Sequence, residues 1–281
     1  MKKKILKIAA FILAAALIVG VCMFANSLIG NPISKALAQN TAEKYIKETY
    51  GDKDYELERV TYSFKDCYYH AYISSPSSID THFTLLINGF GKLQDDDYDN
   101  SVTNGWNTAD RLGADYRKAV DTIFDSNAFP YNAHIGYGEL IFVPMEFKDA
   151  LDYPEYALIT DELTLDAYYN VNELGSKSGK LTVYIADNTV SADRLAKMLL
   201  EVRKCFDSAG VGFYAIDCVL EYPQTEGSLY KYGRVEVMDF LYSDIYEEGL
   251  VERVNASNEA ANDYYYAQDA EKFAENPGDY E

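Results

Sequence analysis

The most constraining feature of the sequence is an apolar stretch close to its start. Residues 8–25 contain no charged side chain, and lysines precede them at positions 2, 3, 4 and 7. A helix needs about 17–25 apolar residues to cross the hydrocarbon core of a bilayer, and flanking lysines favour a cytoplasmic N-terminus. Residues 1–30 are therefore predicted to be a single-pass anchor in the cell membrane, with the bulk of the chain extracytoplasmic.

Two other interpretations of this stretch are a cleaved signal peptide and a lipoprotein signal. A secretory signal peptide has a shorter apolar region, of about 7–15 residues, followed by a small-x-small cleavage site. Ala25-Asn26-Ser27 matches such a site poorly. A lipoprotein would carry its lipid on Cys22, but Val21 stands where that processing needs a small residue. An uncleaved anchor is the preferred interpretation, and cleavage remains the open alternative.

The rest of the chain is acidic and rich in tyrosine. The formal net charge is −20, from 45 acidic and 25 basic side chains. Such a charge repels nucleic acid and anionic lipid headgroups, so nucleic acid is excluded as a partner. Tyrosine, at 26 residues, outnumbers phenylalanine at 13. This surplus suits either a recognition surface or half-buried strand positions.

Cysteine usage indicates no complete disulfide framework. Beyond the apolar stretch the chain has Cys67, Cys205 and Cys218, an odd number. Cys205 and Cys218 both lie on predicted apolar faces. The sequence therefore leaves open a bridge between them or three small, buried free thiols.

Apolar periodicity predicts an α+β protein, with two small α/β two-layer sandwich domains behind the single transmembrane helix. The first domain, 31–150, has a helix capped by Asn31, a three-stranded meander, a second helix and a fourth strand near 135–145. The second domain, 151–243, has strand, helix, strand and strand. An acidic helical tail, 244–281, follows it.

The second and third strands of the meander suggest a metal site. Their pairing is constrained, because a slip of one residue would expose the wrong face. One permitted register places His70 opposite His82, and another places Tyr72 opposite His82. In the first register the two imidazoles could bind Zn²⁺ with Asp80 as a third ligand. The alternative is that both histidines pack as exposed strand residues against tyrosines.

An acidic run suggests a calcium site. Asp95, Asp97 and Asp99 alternate as ligands do in calcium-binding loops. Asn100 and Trp106 stand where an EF-hand needs Gly and Glu, so that motif is excluded. The run is either an irregular Ca²⁺ site or a solvated turn. Because no catalytic or cofactor-binding motif occurs in the sequence, we expect no catalytic residue and no bound cofactor.

Several short segments are shared with a known family. They are Asn31-Pro32-Ile33-Ser34-Lys35, Tyr62-Ser63-Phe64-Lys65-Asp66, Ser74-Ser75-Pro76-Ser77-Ser78-Ile79-Asp80, Trp106-Asn107-Thr108 with Arg111-Leu112 and Tyr116, and Glu173-Leu174-Gly175 with Gly179. The chain resembles the YfjL-like membrane proteins of Gram-positive bacteria. This resemblance implies a membrane-anchored N-terminal α/β domain and a second, C-terminal domain, but no particular activity and no functional residue.

These observations favour a non-enzymatic binding module, tethered to the membrane, that recognises another envelope protein or a small ligand. Exposure of Tyr68, His70 and Tyr72 on one sheet face would support this hypothesis. The alternative is an extracellular hydrolase that uses paired carboxylates, for example one from 95–99 and Glu139. A structural role in the envelope is a third hypothesis.

Overall fold

The apolar stretch forms one continuous helix, α1 (Lys2–Ile29). The computed structural model describes residues 2–150, 153–223 and 233–275, and in this part of the chain one helix is long and apolar enough to cross a membrane. None of its most apolar window is buried. The prediction of an apolar N-terminal helix is confirmed. A membrane anchor and a signal sequence share this form, so its retention and orientation stay predictions.

The chain divides into two compact units. The first unit comprises Met1–Thr108 with Leu163–Asp166, and the second comprises Ala109–Glu162 with Ala167–Glu281. Each unit contains a four-stranded sheet packed with helices. The α+β prediction, with two domains behind an apolar helix, is thereby confirmed.

The first sheet is an antiparallel meander in the order β1-β2-β3-β4. Helix α2 (Pro32–Thr49) precedes it, and the Asn31 side chain caps this helix by accepting a hydrogen bond of 2.7 Å from the Ser34 N–H. This is the cap that the sequence predicts. The strands are β1 (Glu56–Ser63), β2 (Tyr68–Ser75), β3 (Ser78–Ile87) and β4 (Leu93–Asp96).

The core of the first unit lies between α2 and one side of the first sheet. Small residues of α2, Ala38 and Ala42, are fully buried and allow the helix to approach the strands closely. Alternate residues of each strand point toward the helix, as the period of two predicts. The buried strand residues are Val60, Tyr69, Ala71, Ile73, Phe83, Leu85 and Ile87.

The second sheet has the order β10-β9-β8-β5. β8 and β9 pair in parallel through the crossover helix α5, and the other two pairs are antiparallel. The strands are β5 (Ala133–Leu140), β8 (Gly179–Ala186), β9 (Ala215–Glu221) and β10 (Arg234–Leu241), and a parallel pair, β6 (Phe142–Val143) and β7 (Leu158–Ile159), lies apart from them. The helices are α3 (Trp106–Phe124), α4 (Val171–Ser178), α5 (Ala192–Ala209) and α6 (Leu250–Glu275).

The strand predicted near 135–145 does not complete the first domain. It is β5, and it pairs with β8 of the second sheet. Two glycines let α3 pack closely on this strand, because a Cβ at Gly138 would lie 2.6 Å from Val120 Cγ2 and one at Gly136 would lie 3.0 Å from Phe124 Cγ. The assignment of this strand to the first domain was wrong, and the units divide after Thr108 rather than near 151.

Local signals place the ends of the second unit's helices. Ser191 caps α5, and Gly210 ends it in the left-handed conformation at φ 68°. α6 lies along the edge strand β10, where Asn258 Oδ1 accepts a 2.9 Å hydrogen bond from the Glu236 N–H. This contact covers an edge that would otherwise be free to pair with another chain. α6 corresponds to the predicted acidic tail, whose last residues, 276–281, lie outside the described residues.

Candidate functional site

The side of the first sheet that faces away from α2 carries polar and aromatic residues. On β2, Tyr69, Ala71 and Ile73 point into the core, so their neighbours point to the opposite side. We call this side the outer face. Its β2 residues, all half-buried, are Tyr68, His70, Tyr72 and Ser74. The predicted grouping of Tyr68, His70 and Tyr72 on one face is therefore present.

Tyr72 is the centre of a stacked row on the outer face. Arg59 pairs with Tyr72 across β1 and β2, and its guanidinium carbon lies 4.1 Å from the ring centroid. The His70 ring lies nearly parallel to the Tyr72 ring, at an interplanar angle of 26° and a centroid distance of 6.4 Å. Such cation–π and ring contacts hold flat side chains in fixed orientations. Tyr72 therefore presents a positioned aromatic surface.

His70 is itself held by Asp66 in the β1–β2 turn. The His70 Nε2 to Asp66 Oδ2 distance is 2.8 Å. The pKa of Asp66 is lowered, first by the Tyr68 backbone N–H that donates to it and also by His70. The carboxylate thus stays ionised and fixes the imidazole ring.

A groove of about 490 Å³ lies at the outer face beside this row. Its volume falls within the range of small-molecule sites, about 300–1,000 Å³. Hydroxyl groups, an imidazole, a guanidinium and two carboxylates line it, so the groove both donates and accepts hydrogen bonds. The polar lining residues include Glu58, Arg59, Tyr72, Ser74, Ser78, Thr81, His82, Thr84, Asp97 and Ser101.

The predicted opposition of His70 and His82 was wrong. His70 pairs with Leu86, and His82 pairs with Ser74. The turn between β2 and β3 is tight, with Ser75 opposite Ser78, and residues 79–81 then bulge out of β3 before regular pairing resumes. A bulge shifts the register of everything beyond it. Tyr72 faces Thr84, so the second predicted register was wrong as well.

Asp80, the proposed third zinc ligand, has a structural role. It is 1% exposed, and its Oδ2 accepts hydrogen bonds from Thr108 Oγ1 at 2.9 Å and from the Asp166 N–H at 3.0 Å. The hydrogen bond from Asp166 to Asp80 connects segment 163–166 to the first sheet. Asp80 is therefore not available as a third ligand for the predicted zinc site.

The acidic run 95–99 is likewise used locally. Asp97 accepts from Asn100 Nδ2 at 3.1 Å and from the Ser101 hydroxyl, and Asp99 accepts from Thr103 Oγ1 at 3.0 Å. These bonds join side chains within and directly before the short π-helical turn Asp99–Thr103. In the described ranges no three His, Cys, Asp or Glu side chains are grouped to hold a metal ion. The Ca²⁺ site stays a prediction without a converging ligand set.

Comparison with protein families accounts for both units. The model of the YfjL-like N-terminal domain matches residues 2–97, and that of the YfjL-like C-terminal domain matches residues 115–255. The chain belongs to the YfjL-like family. Neither the curated proteins nor the solved structures include a match to this chain. The gap between the two matched ranges lies around the division of the units at Thr108.

The second unit of this YfjL-like chain holds a charged cluster that was not predicted from the sequence. Lys180 Nζ lies 3.0 Å from Asp217 Oδ2 and 2.7 Å from Asp239 Oδ1. A bulge in β10 places Asp239 at φ 46°, a left-handed conformation that aims its side chain at the lysine. Tyr156 donates a 2.9 Å hydrogen bond to the same Asp239 oxygen. We call these four residues the lysine cluster.

The charges of the lysine cluster compensate one another. Burial alone would lower the pKa of Lys180, but its bonds to Asp239 and Asp217 outweigh burial and raise it. Burial and the charge of Asp239 raise the pKa of Tyr156. The lysine stays protonated and the phenol neutral, so neither serves as a base. The only sequence signal was the alternation of Lys180, Thr182 and Tyr184 along β8, and that pattern does not identify the partners of the lysine.

A mostly apolar cavity lies in the second unit. It has a volume of about 670 Å³ and is lined partly by Ile123, Pro130 and Cys205. Burial raises the pKa of the Cys205 thiol, which disfavours the reactive thiolate. Cys218 is fully buried in β9, where burial and then Asp217 raise its pKa to about 12. All four cysteines are described and are free thiols, so the bridge left open by the sequence is absent.

Proposed function

We propose that this YfjL-like protein is a membrane-tethered binding module whose groove on the outer face holds a small polar ligand. In this proposal α1 is retained as a single-pass anchor, with its N-terminus in the cytoplasm and both units outside. The activity is recognition rather than chemistry.

The groove beside Tyr72 is the observation that carries this proposal. Most polar groups on protein surfaces point singly into solvent, whereas here hydroxyl, imidazole and guanidinium groups converge on about 490 Å³. Arg59 stacks on Tyr72 at 4.1 Å and its Nη1 lies 3.6 Å from Glu58 Oε2, so the remaining N–H groups of the guanidinium edge can donate to a ligand. A concave site with a few fixed polar groups is the usual form of a ligand-binding site.

The lining indicates a ligand that carries several hydroxyl groups. The hydroxyls of Ser74 and Thr84 each donate and accept hydrogen bonds, and the carboxylates of Glu58 and Asp97 accept them, Asp97 also accepting from the Ser101 hydroxyl. A saccharide offers the complementary mixture, together with an apolar ring face that packs on an aromatic side chain. A strongly anionic ligand fits less well because of the two carboxylates.

Calorimetry with the full chain in detergent or nanodiscs tests this proposal against a panel of neutral mono- and disaccharides. We expect binding by the wild type, loss of binding in Y72A and retained binding in Y168A, which removes a tyrosine of the second unit that is 91% exposed. Melting curves of the three proteins confirm folding. Equal affinity of Y72A and the wild type would contradict the groove as the site.

Cys67 provides a test of the anchor. It is exposed in the β1–β2 turn of the first unit. If α1 is a retained anchor with a cytoplasmic N-terminus, a membrane-impermeant maleimide labels the wild type in intact cells and labels C67S far less. Labelling only after lysis would reverse the orientation, and release of the protein into the medium would indicate cleavage.

The hydrolase hypothesis has weaker support. Its proposed carboxylates are distributed over the two units, with 95–99 in the first and Glu139 in the second. Asp217 and Asp239 do converge in the second unit, but Lys180 holds both in ion pairs. Hydrolysis of a glycosidic bond needs one protonated carboxyl group. Hydrolysis of a saccharide that is abolished in D217N would reinstate this alternative.

A further inference from the structure

The end of α1 is fixed to the first unit by side-chain hydrogen bonds. Tyr62 donates to the Ser27 carbonyl at 3.0 Å, and the Tyr69 hydroxyl accepts from the Asn31 N–H at 2.9 Å. Gly30 has φ +70°, and a Cβ there would lie 2.7 Å from the Tyr69 hydroxyl. We call these five residues the junction. Because the junction is closely packed, α1 meets the first unit at a defined point rather than through a flexible linker.

Two turns of the first sheet lie at the same end as the junction. The two junction tyrosines pair with each other beside the β1–β2 turn, 64–67. In an antiparallel meander the β3–β4 turn, 88–92, lies at this end too, and the β2–β3 turn lies at the opposite end. The β3–β4 turn also contacts α2, because Thr41 Oγ1 in the middle of the helix donates to the Gly91 carbonyl at 2.6 Å and a Cβ at Gly89 would lie 3.7 Å from Ser34 Oγ near its start.

This end of the unit exposes large apolar side chains. Phe64, Phe90 and Ile33 are 59%, 91% and 76% exposed. They come from three separate segments, the two turns and the first turn of α2. Water-exposed apolar residues of this size, grouped around the end of an apolar helix, indicate contact with something other than water.

Exposed lysines accompany the three apolar residues. Each apolar residue is followed within two positions by a lysine, and these are Lys65, Lys92 and Lys35. The carboxylate in the same turns, Asp66, is paired with His70. The acidic composition predicts repulsion of anionic headgroups, but charge is not evenly distributed over the first unit. Its cations at this end favour an anionic surface.

We propose that the junction end of the first unit docks on the surface of the bilayer that α1 enters. Phe64, Phe90 and Ile33 lie among the headgroups and upper acyl chains, and the three lysines contact anionic headgroups. Aromatic residues and lysines are the side chains that favour this interface. The inference rests on the proposed retention of α1 as an anchor, and it adds that the first unit lies on the membrane rather than standing off it.

Tryptophan fluorescence in nanodiscs tests the docking of the full chain. Trp106 is the single tryptophan, so W106F provides a silent background. In that background F64W and F90W report on the two turns. I79W is the matched control, because Ile79 is 68% exposed but follows the β2–β3 turn at the opposite end. With lipids brominated near the headgroup, we expect blue-shifted and quenched emission from F64W and F90W, and unquenched emission from I79W.

Charge is tested with two matched triple variants in the F64W background. K35Q/K65Q/K92Q removes the lysines of the junction end, and K44Q/K47Q/K53Q removes three lysines from the C-terminal half of α2 and the segment after it. We expect the first variant to lose quenching in nanodiscs containing anionic lipid and the second to keep it. Equal quenching in both variants would overturn the role of the lysines.

Carbonate extraction distinguishes failure of this inference from failure of the anchor. If the chain stays in the membrane fraction while F64W and F90W are as unquenched as I79W, the docking inference is overturned and the anchor stands. If carbonate releases the chain, the anchor is overturned, and the docking inference fails with it.

Discussion

The two four-stranded sheets use their polar side chains differently. On the first sheet, Arg59 and Tyr72 stack beside a groove that is open to a ligand. On the second sheet, Lys180 is enclosed by Asp217 and Asp239. The polar groups of the first sheet keep donors and acceptors available for a ligand, whereas the charged groups of the second sheet pair with one another. Charged residues on a sheet therefore indicate binding only where their contacts with one another leave hydrogen-bond donors or acceptors available to a ligand.

The sheets also differ in how they are assembled. The first joins strands that are neighbours in the chain, whereas the second pairs β5 with β8 and adds a parallel pair through α5. The second unit therefore depends on close contacts between distant segments. Substitutions at such contacts should affect stability most, and substitutions in the groove of the first sheet should affect it least.

The largest effect is expected at Gly175 of α4. A Cβ there would lie 2.3 Å from the Gly212 carbonyl oxygen and 2.4 Å from Tyr116 Cε2. G175A should lower the free energy of unfolding by about 3 kcal/mol, because the elements must move apart. G113A is the matched control in α3, where a Cβ meets nothing within 4 Å. It should stabilise by about 0.5–1 kcal/mol. Equal melting of the two variants by calorimetry would contradict the close contact.

The next effect is expected in the lysine cluster. K180M leaves Asp217 and Asp239 close together without a cation and should cost about 2 kcal/mol, less than for a fully buried pair because Asp239 is partly exposed. K177M, at an exposed lysine of α4, should change stability little. Chemical denaturation measures both. Partial recovery in K180M/D239N would show that charge rather than packing is the cause, and no recovery would point to packing.

A smaller effect is expected from tyrosines of the first unit at high pH. Burial, and then the Asp96 carboxylate that accepts hydrogen bonds from both, raise the pKa values of Tyr45 and Tyr50 above the ordinary 10.0. Their contribution is fully present below pH 10, where both states keep the phenol proton. Above it the unfolded chain loses protons that the folded state retains, so folding stability falls.

Y50F should therefore flatten the decline of the unfolding free energy between about pH 9 and about pH 11. Y168F, at an exposed tyrosine of the second unit, is the control and should leave the decline unchanged. Denaturant titrations across this pH range make the measurement. Identical slopes for Y50F and the wild type would mean that burial of the Tyr50 hydroxyl does not hold its proton.

The smallest effect on stability is expected at Arg59. R59A removes one exposed cation–π contact and should change the unfolding free energy by no more than about 0.5–1 kcal/mol. Saccharide binding should nevertheless be lost, because the groove loses its guanidinium donor. Calorimetry and melting curves of R59A and R203A separate the two effects, since Arg203 stacks on Tyr242 in the second unit. Large destabilisation by R59A would contradict the expectation that substitutions in the groove of the first sheet affect stability least.

What the sequence determined by itself was local. The uncharged stretch predicted α1, Asn31 predicted the start of α2, and Ser191 and Gly210 marked the ends of α5. Alternation on β2 also placed Tyr68, His70 and Tyr72 on one face. Each of these depends on residues within a few positions of one another, where propensity, capping and periodicity decide the outcome.

What only the tertiary structure decided were the long-range pairings. The bulge at 79–81 moved His82 away from His70, and β5, whose glycines allow α3 to pack closely on it, pairs with β8 of the second sheet. The lysine cluster and the junction likewise join residues far apart in the chain. A period of two identifies the buried face of a strand but not its partner. The partner depends on which surfaces pack most closely, and only the folded chain determines that.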